Sequence, residues 1–343
     1  MPPRSRTALL LGLDEAGYGP FLGPLCVGAA VFRAPLDDAD KPPCLWEALR
    51  GAVCRSPKES TPRRPRVCVN DSKALKRPAK RGPEGHAAAL ADIELSLLAF
   101  LHLADETPIA NDADLFGRLA CATLHDDARA DARSIPLNHD PALVTLRAGG
   151  LARAALEAGV ELRTLRVSAL DPERFNAECA KHGSKAAVTA CMALARLRDL
   201  WGELASDDED DASGALRIGY AFLDRQGGRT DYAAFLASID PQAALTTVRR
   251  GDTRSAYTLR DGRRELRVLV EVEADSRRFP VALASMAAKY ARDLAMLRFN
   301  ARFAVDHPEM KPTQGYGVDG RRWISDAARF LTADQLRTIV RQR

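Results

Sequence analysis

The sequence predicts an α/β or α+β fold rather than a helical bundle. Three observations carry this. Two short apolar runs, Ala8–Leu13 and Leu25–Phe32, flank a turn punctuated by Gly17, Gly19, Pro20, Gly23 and Pro24. Two longer segments, Lys185–Trp201 and Pro280–Phe303, have helical composition. Three β-like runs come late, at Ala244–Arg249, Ala256–Arg260 and Glu265–Glu273, with a hairpin signal, Asp261-Gly262, between the last two.

The first two runs read as a hairpin of buried strands. Residues 34–66 turn rich in proline, aspartate and arginine, and read as an irregular surface insertion with a short helix around Leu45–Val53. Ala87–Leu103 has helical spacing, and residues 104–150 carry only weak patterns. Leu162–Ala169 reads as a strand. Asp171 then caps a helix that has Pro172 at its first position. Along Lys185–Trp201, Val188, Met192, Leu197 and Trp201 fall near one stripe. The acidic run Asp207–Asp211 reads as a solvated loop, and Ile218–Leu223 as a strand ending at Asp224. Pro280 suits the first turn of the last long helix.

Composition narrows the class. The chain has 343 residues, 46% of them apolar and 28% charged, so a sizeable core is feasible. No apolar run approaches the roughly 18–20 residues of a membrane helix. The first thirteen residues do not form a signal peptide, and a cytoplasmic protein is expected. A net charge of +4 permits nucleic-acid binding without arguing for it. Seven cysteines, none spaced C-x-x-C, argue against a disulfide framework or a zinc knuckle and for reduced thiols.

Chemistry concentrates at strand ends. Asp14 and Glu15 close the first apolar run just before the glycine turn. On spacing alone, an acidic loop that keeps a sheet edge soluble is the simpler reading. Convergence of both side chains requires the bend that Gly17 and Gly19 permit. The turn lacks the spacing of a dinucleotide loop, and no phosphate-binding G-x-x-x-x-G-K-[ST] motif occurs. Asp224 alone reads as a cap or turn residue. Ser285, Lys289 and Asp293 share one helical face, and alone the last two read as a solvated i, i+4 pair. Taken together, four acids without histidine or cysteine companions suit Mg²⁺ or Mn²⁺. A pair of such ions clamps the attacking and leaving oxygens of a phosphodiester displacement.

These residues resemble a known family. Gly12-Leu-Asp-Glu-Ala-Gly-Tyr-Gly-Pro-Phe-Leu-Gly-Pro-Leu is similar to the opening of ribonuclease HII, the type 2 ribonucleases H. Asn70-Asp-Ser-Lys-Ala-Leu resembles the family's D-S-K-x-L segment, and Phe222-Leu-Asp224 its third acid. Arg166–Leu200 resembles the strand and helix before that acid. Glu273–Asp293, ending Ala-Ser-Met-Ala-Ala-Lys-Tyr-Ala-Arg-Asp, resembles its A-A-S-I-x-A-K-x-x-R-D helix, and Gly315-Tyr-Gly-Val-Asp its late Y-G segment. Six segments in the family's order cover about a third of the chain.

The resemblance implies an RNase H-like fold: a central mixed β-sheet flanked by helices, in one catalytic domain over residues 1–343 with insertions at about 34–66, 77–160 and 226–272. It implies a two-metal endoribonuclease (Mg²⁺ or Mn²⁺) that cuts the RNA strand of RNA/DNA hybrids and leaves 5′-phosphate and 3′-hydroxyl ends. Asp14, Glu15, Asp224 and Asp293 would be the catalytic metal ligands. Gly17, Tyr18, Gly19, Ser285, Lys289 and Trp323 would face substrate, with Trp323 in place of a late tyrosine that stacks on a sugar. Tyr18 stands where the family has Arg or Lys, which puts cleavage at a single embedded ribonucleotide in question. The insertion at 226–272 is either a hairpin flap beside the substrate groove or a solvated decoration. A monomer without a protein partner is expected, and no clamp-binding box occurs at Arg337–Arg343. The alternatives are a hybrid-binding module with little hydrolysis, or a nuclease of the same fold with another nucleic-acid substrate.

Overall fold

The computed structural model describes residues 6–38, 40–78, 82–129, 131–206, 216–225, 229 and 231–342. The run Asp207–Asp211 lies outside the described residues. The chain begins with β1 (Thr7–Ala16) and β2 (Leu25–Pro35). It continues through α1 (Leu45–Ala48), β3 (Val53–Cys54), β4 (Val67–Cys68), α2 (Ser72–Leu75), α3 (Pro83–Ala88), α4 (Ala91–Ala104), α5 (Asp112–Arg118), α6 (Ala122–Ala128) and α7 (Pro141–Ala158). Then follow β5 (Glu161–Leu170), α8 (Pro172–His182), α9 (Lys185–Ser206), β6 (Arg217–Asp224), α10 (Ala233–Ala237), β7 (Ala244–Arg249), β8 (Arg254–Asp261) and β9 (Arg264–Glu271). Last come α11 (Ala274–Arg277), α12 (Phe279–Asp306), α13 (Gly317–Ala327) and α14 (Ala333–Ile339).

Among the described residues, seven strands form one sheet in the order β5-β2-β1-β6-β9-β8-β7. β1, β6 and β9 run parallel, and the other neighbours are antiparallel. This is the central mixed sheet flanked by helices that the resemblance implies. Strand alternation sorts β1 between the two faces. Ala8 and Leu10 join the core under α4 and α12, whereas Leu9, Leu11 and Leu13 join the core under α9. Each such leucine contributes about 1.5–3 kcal/mol by burial.

Two glycines set how closely α12 approaches the sheet. A Cβ on Gly12 would stand 2.0 Å from the carbonyl carbon of Pro280, and one on Gly28 would stand 2.1 Å from the Ala284 oxygen. The helix backbone therefore rests directly on these strands. Gly28 is the register partner of Asp14, so Ser285, next to Ala284, is brought to the Asp14 end of the sheet.

The insertions differ from expectation. The hairpin signal at Asp261-Gly262 does join β8 to β9, and the strands described in this segment lie in the central sheet rather than standing off it as a flap. β9 is a core strand parallel to β6, and β8 and β7 extend the same sheet beyond it. Leu259, Leu266, Val268 and Val270 bury their side chains under α9, and that burial holds the segment flat. Described residues of the 77–160 segment contribute to the core. Ile93, Leu97, Phe100 and Leu101 of α4 are buried against the sheet and α12, and the helical stretch read as Ala87–Leu103 is two helices, α3 and α4. Glu94, fully buried, accepts hydrogen bonds from Leu137 N at 2.7 Å, Asn138 N at 2.8 Å and Tyr290 Oη at 2.6 Å. In 34–66 the expected helix shortens to α1, and β3 pairs with β4 in a separate two-stranded sheet.

Candidate active site

β1 and β6 end side by side, with Leu13 paired to Leu223, so Asp14 and Asp224 leave the sheet at the same edge. β9 ends there too and leads into α11, where Asp275 is 8% exposed. The backbone N–H of Ala274 donates to Asp224 Oδ1 at 3.0 Å, which ties α11 to the tip of β6. Opposite them lies α2, capped by Asp71, whose side chain accepts from Lys73 N. Ser72 Oγ and Ser285 Oγ stand 3.0 Å apart, joining α2 to α12.

The carboxylates feel one another. Burial pushes Asp14 well above the usual carboxylate range, and the Glu15 charge adds to this; hydrogen bonds from Ser285 and the Glu15 N–H oppose it, and Asp275 raises it further. That N–H lies 2.8 Å from Asp14 Oδ1. Glu15 is raised by burial and then by Asp224, with Lys73 opposing. Asp275 is pushed up to about 6 by burial, by the charge of Asp71 and a hydrogen bond shared with it, and by Asp224. Such mutual elevation marks negative charge crowded into one place without enough counter-charge.

Asp293 has different surroundings. It receives Lys289 Nζ at 2.6 Å and Lys76 Nζ at 2.7 Å, with Arg292 Nη1 at 3.6 Å. Burial would raise this carboxyl, but Lys289, Lys76 and Arg292 outweigh it and hold the group below its ordinary value. Lys289 itself is lowered to about 8 by burial, against the pull of Asp293. The structure therefore gathers Asp14, Glu15 and Asp224 with Asp275 and Asp71, and places Asp293 within a cationic group two helical turns beyond Ser285. Asp275 and Lys76 lie inside or beside segments quoted for the resemblance, yet spacing alone gave no reason to single them out. What marks Asp275 is the sheet order: it follows β9, the strand parallel to the one bearing Asp224.

The glycine turn is held from below. Gly17 has φ +85°, and a Cβ there would meet the Pro24 oxygen at 2.5 Å and Arg292 Nε at 2.7 Å. Its carbonyl accepts from Arg341 Nη1, and the Arg341 guanidinium stacks on Phe175 at 3.8 Å. Tyr18 and Gly19 are exposed, and Lys185 Nζ lies 4.7 Å from the Tyr18 ring centroid. A cation thus stands beside Tyr18 although the turn itself carries none.

Trp323 does not face substrate. It is 1% exposed and packs against Phe299 and Phe303, with ring centroids 4.9 and 4.8 Å away. Its indole fills the small core under α13, so no ring surface is left to stack on a sugar. Tyr316 is 42% exposed, with the Arg292 guanidinium 4.6 Å from its ring centroid, and is the aromatic face that this region presents.

The donor set fits a hard divalent cation, being all carboxylate oxygen. The side chains do not close around one point: among the described residues, no three His, Cys, Asp or Glu stand close enough to hold an ion. No described helix is long and apolar enough to cross a membrane.

No protein-family model matches the chain, and no curated protein does. Among solved structures the chain is similar to one in the PCNA:RNase HII complex from Archaeoglobus fulgidus, at 16% identity over 98% of this chain and 94% of that one, with a TM-score of 0.39. It is similar to ribonuclease H2 from Pyrococcus horikoshii at 17% identity, over 93% of this chain and 86% of that one, with a TM-score of 0.40. A third is Bst-RNase HIII in complex with Mn²⁺, at 16% identity over 97% of this chain and 66% of that one, with a TM-score of 0.40.

Proposed function

We propose that this chain is a divalent-metal-dependent nuclease of the RNase H type that hydrolyses the RNA strand of RNA/DNA hybrids. The observation that carries the reading is the group of Asp14, Glu15, Asp224 and Asp275 at one edge of the sheet, with three of the four raised by burial and by one another. These four would hold Mg²⁺ or Mn²⁺. When bound, such ions lower the pKa of the attacking water and neutralise charge on the departing oxygen. Ser285 orients Asp14, and Ser72 fixes Ser285. Lys289, Lys76 and Arg292 carry more positive charge than Asp293 cancels, and the excess suits a substrate phosphate. In this reading Asp293 is a positioning residue for two lysines rather than a ligand. Gly17 and Gly19 let the backbone come close to the sugar-phosphate chain, and exposed Tyr18 offers a ring beside it.

The two aspartates are told apart by paired variants. Asp275→Asn is expected to abolish cleavage of a labelled hybrid and leave the unfolding midpoint within error. Asp293→Asn strands three cations around a neutral buried group and is expected to lose about 3–5 kcal/mol of stability in urea unfolding. A stable, inactive Asp293→Asn beside an active Asp275→Asn would reverse the assignment.

Tyr18 bears on substrate range. Tyr18→Arg adds a guanidinium next to Lys185, and one charge-assisted hydrogen bond is worth about 1.5 kcal/mol. The variant is expected to cut DNA with a single ribonucleotide roughly tenfold faster, relative to continuous hybrid, than the unmodified protein does. An unchanged ratio would place junction recognition elsewhere.

A further inference from the structure

Outside the carboxylate edge, two thiols lie in contact. Cys54 on β3 is the direct register partner of Cys68 on β4, and their sulfurs are 3.4 Å apart. Both cysteines are free and both are buried. Paired strands run about 4.8 Å apart, inside the Cα separation of roughly 4.4–6.8 Å that a disulfide spans. Closure draws the two sulfurs together from 3.4 Å to about 2.05 Å, and pulls on the two strands that carry them.

We propose that Cys54 and Cys68 form an oxidisable dithiol, a modification site that closes to an intramolecular disulfide in the presence of a peroxide. The Cys54 sulfur is the better nucleophile. The Cys68 thiol hydrogen bond lowers its pKa, with Arg66 contributing, whereas Cys68 is raised by the same hydrogen bond. The Cys54 thiolate attacks one peroxide oxygen; an S–O bond forms, the O–O bond breaks, and hydroxide leaves and takes a proton to become water. The Cys68 thiol then attacks the sulfenic sulfur; the S–S bond forms, the S–O bond breaks, and the departing hydroxide takes the Cys68 proton and leaves as a second water. Two thiols and one peroxide give one disulfide and two waters. The peroxide reaches the pair by local opening of the two-stranded sheet, which has two residues per strand.

The location gives the bond a reach. β4 runs directly into Asn70, Asp71 and Ser72, and Asn70 Nδ2 donates to the Arg55 carbonyl at 3.0 Å, beside Cys54. Arg55 Nη1 in turn donates to the Ser276 carbonyl at 2.9 Å, next to Asp275. The disulfide would therefore tie the root of the segment that presents Asp71 and Ser72 to the carboxylate edge. Misplacement of about 1 Å costs on the order of a hundredfold in rate where positioning matters. This second part rests on the nuclease reading.

The test treats the full chain carrying Cys44→Ser and Cys191→Ser, which removes the exposed thiols, with hydrogen peroxide. Free thiols are then alkylated, and the digest is mapped by mass spectrometry without reductant. A linked pair of peptides containing Cys54 and Cys68, released by dithiothreitol and absent after Cys68→Ser, is expected. Separate alkylation of both thiols, at a peroxide dose that oxidises Cys191 in the unmodified chain, would overturn the proposal. For the second part, hybrid cleavage by the oxidised protein is expected to be at least tenfold slower and to recover on reduction. Equal rates would overturn that part. Absence of cleavage in the fully reduced protein would count against the nuclease reading, and the peptide map would still decide the dithiol.

Discussion

Asp14→Asn is expected to lower hybrid cleavage by about a thousandfold or more, the scale of removing one group that stabilises developing charge. The amide keeps the shape of the side chain and both of its neighbours, Ser285 and the Glu15 N–H. What it loses is the charge. Asp224→Asn is expected to behave alike, since the Ala274 N–H can still donate to the remaining carbonyl oxygen. Binding should move the other way. The unmodified edge repels phosphate, so each variant is expected to hold labelled hybrid as tightly as the parent or more tightly, by electrophoretic shift under non-cleaving conditions. A variant that retains the parent rate at saturating Mg²⁺ would remove that residue from the site.

Gly12→Ala is expected to cost about 3 kcal/mol or more of stability. The new methyl would sit 2.0 Å from the Pro280 carbonyl carbon and 2.1 Å from Val281 N, both backbone atoms of α12. An ordinary contact is roughly 3.5–4.0 Å, so the helix has to lift. Lifting α12 carries Ser285 away from Asp14, so the variant should also lose activity at temperatures where it remains folded. Gly149→Ala is the control. That glycine lies in the exposed middle of α7 with no atom within 4 Å of a built Cβ. There the substitution should stabilise by roughly 0.5–1 kcal/mol through helix propensity. Urea midpoints at unchanged slope would read both, and equal midpoints for the two variants would refute the close-approach argument.

Period and punctuation made most of the sheet legible. The runs at 8–13, 25–32, 162–169 and 218–223 are short, apolar and bounded by turn residues, and each lies within a strand. Asp171 and Pro172 marked the start of α8, because a capping side chain and a residue without an N–H fit only there. Helices α5 and α6 were not legible. They are seven residues each and are held by tertiary contacts such as the buried Arg298–Asp112 pair at 3.0 Å, which leaves no local period. The parallel placement of β9 beside β6 was missed for a related reason. A hairpin signal fixes the neighbour on one side of a strand and says nothing about the other. That omission hid Asp275, since only the sheet order brings α11 to the tip of β6. Trp323 was misjudged because an aromatic residue at a suggestive spacing does not reveal whether its face is covered.

The order of the sheet also bears on how the chain reaches its structure. Ala8 pairs with Ile218, and α12 must dock on glycines near the other end of the chain. Such pairings give high contact order, and folding of a topology like this is slow compared with a helical protein of equal stability. The long segments between β2 and β5 add little to the equilibrium cost, because closure entropy grows only with the logarithm of loop length, about 0.6 kcal/mol per doubling. Their cost is in time. A partly folded chain has its acids scattered, so the carboxylate edge would assemble in one late step, together with the last long-range contacts.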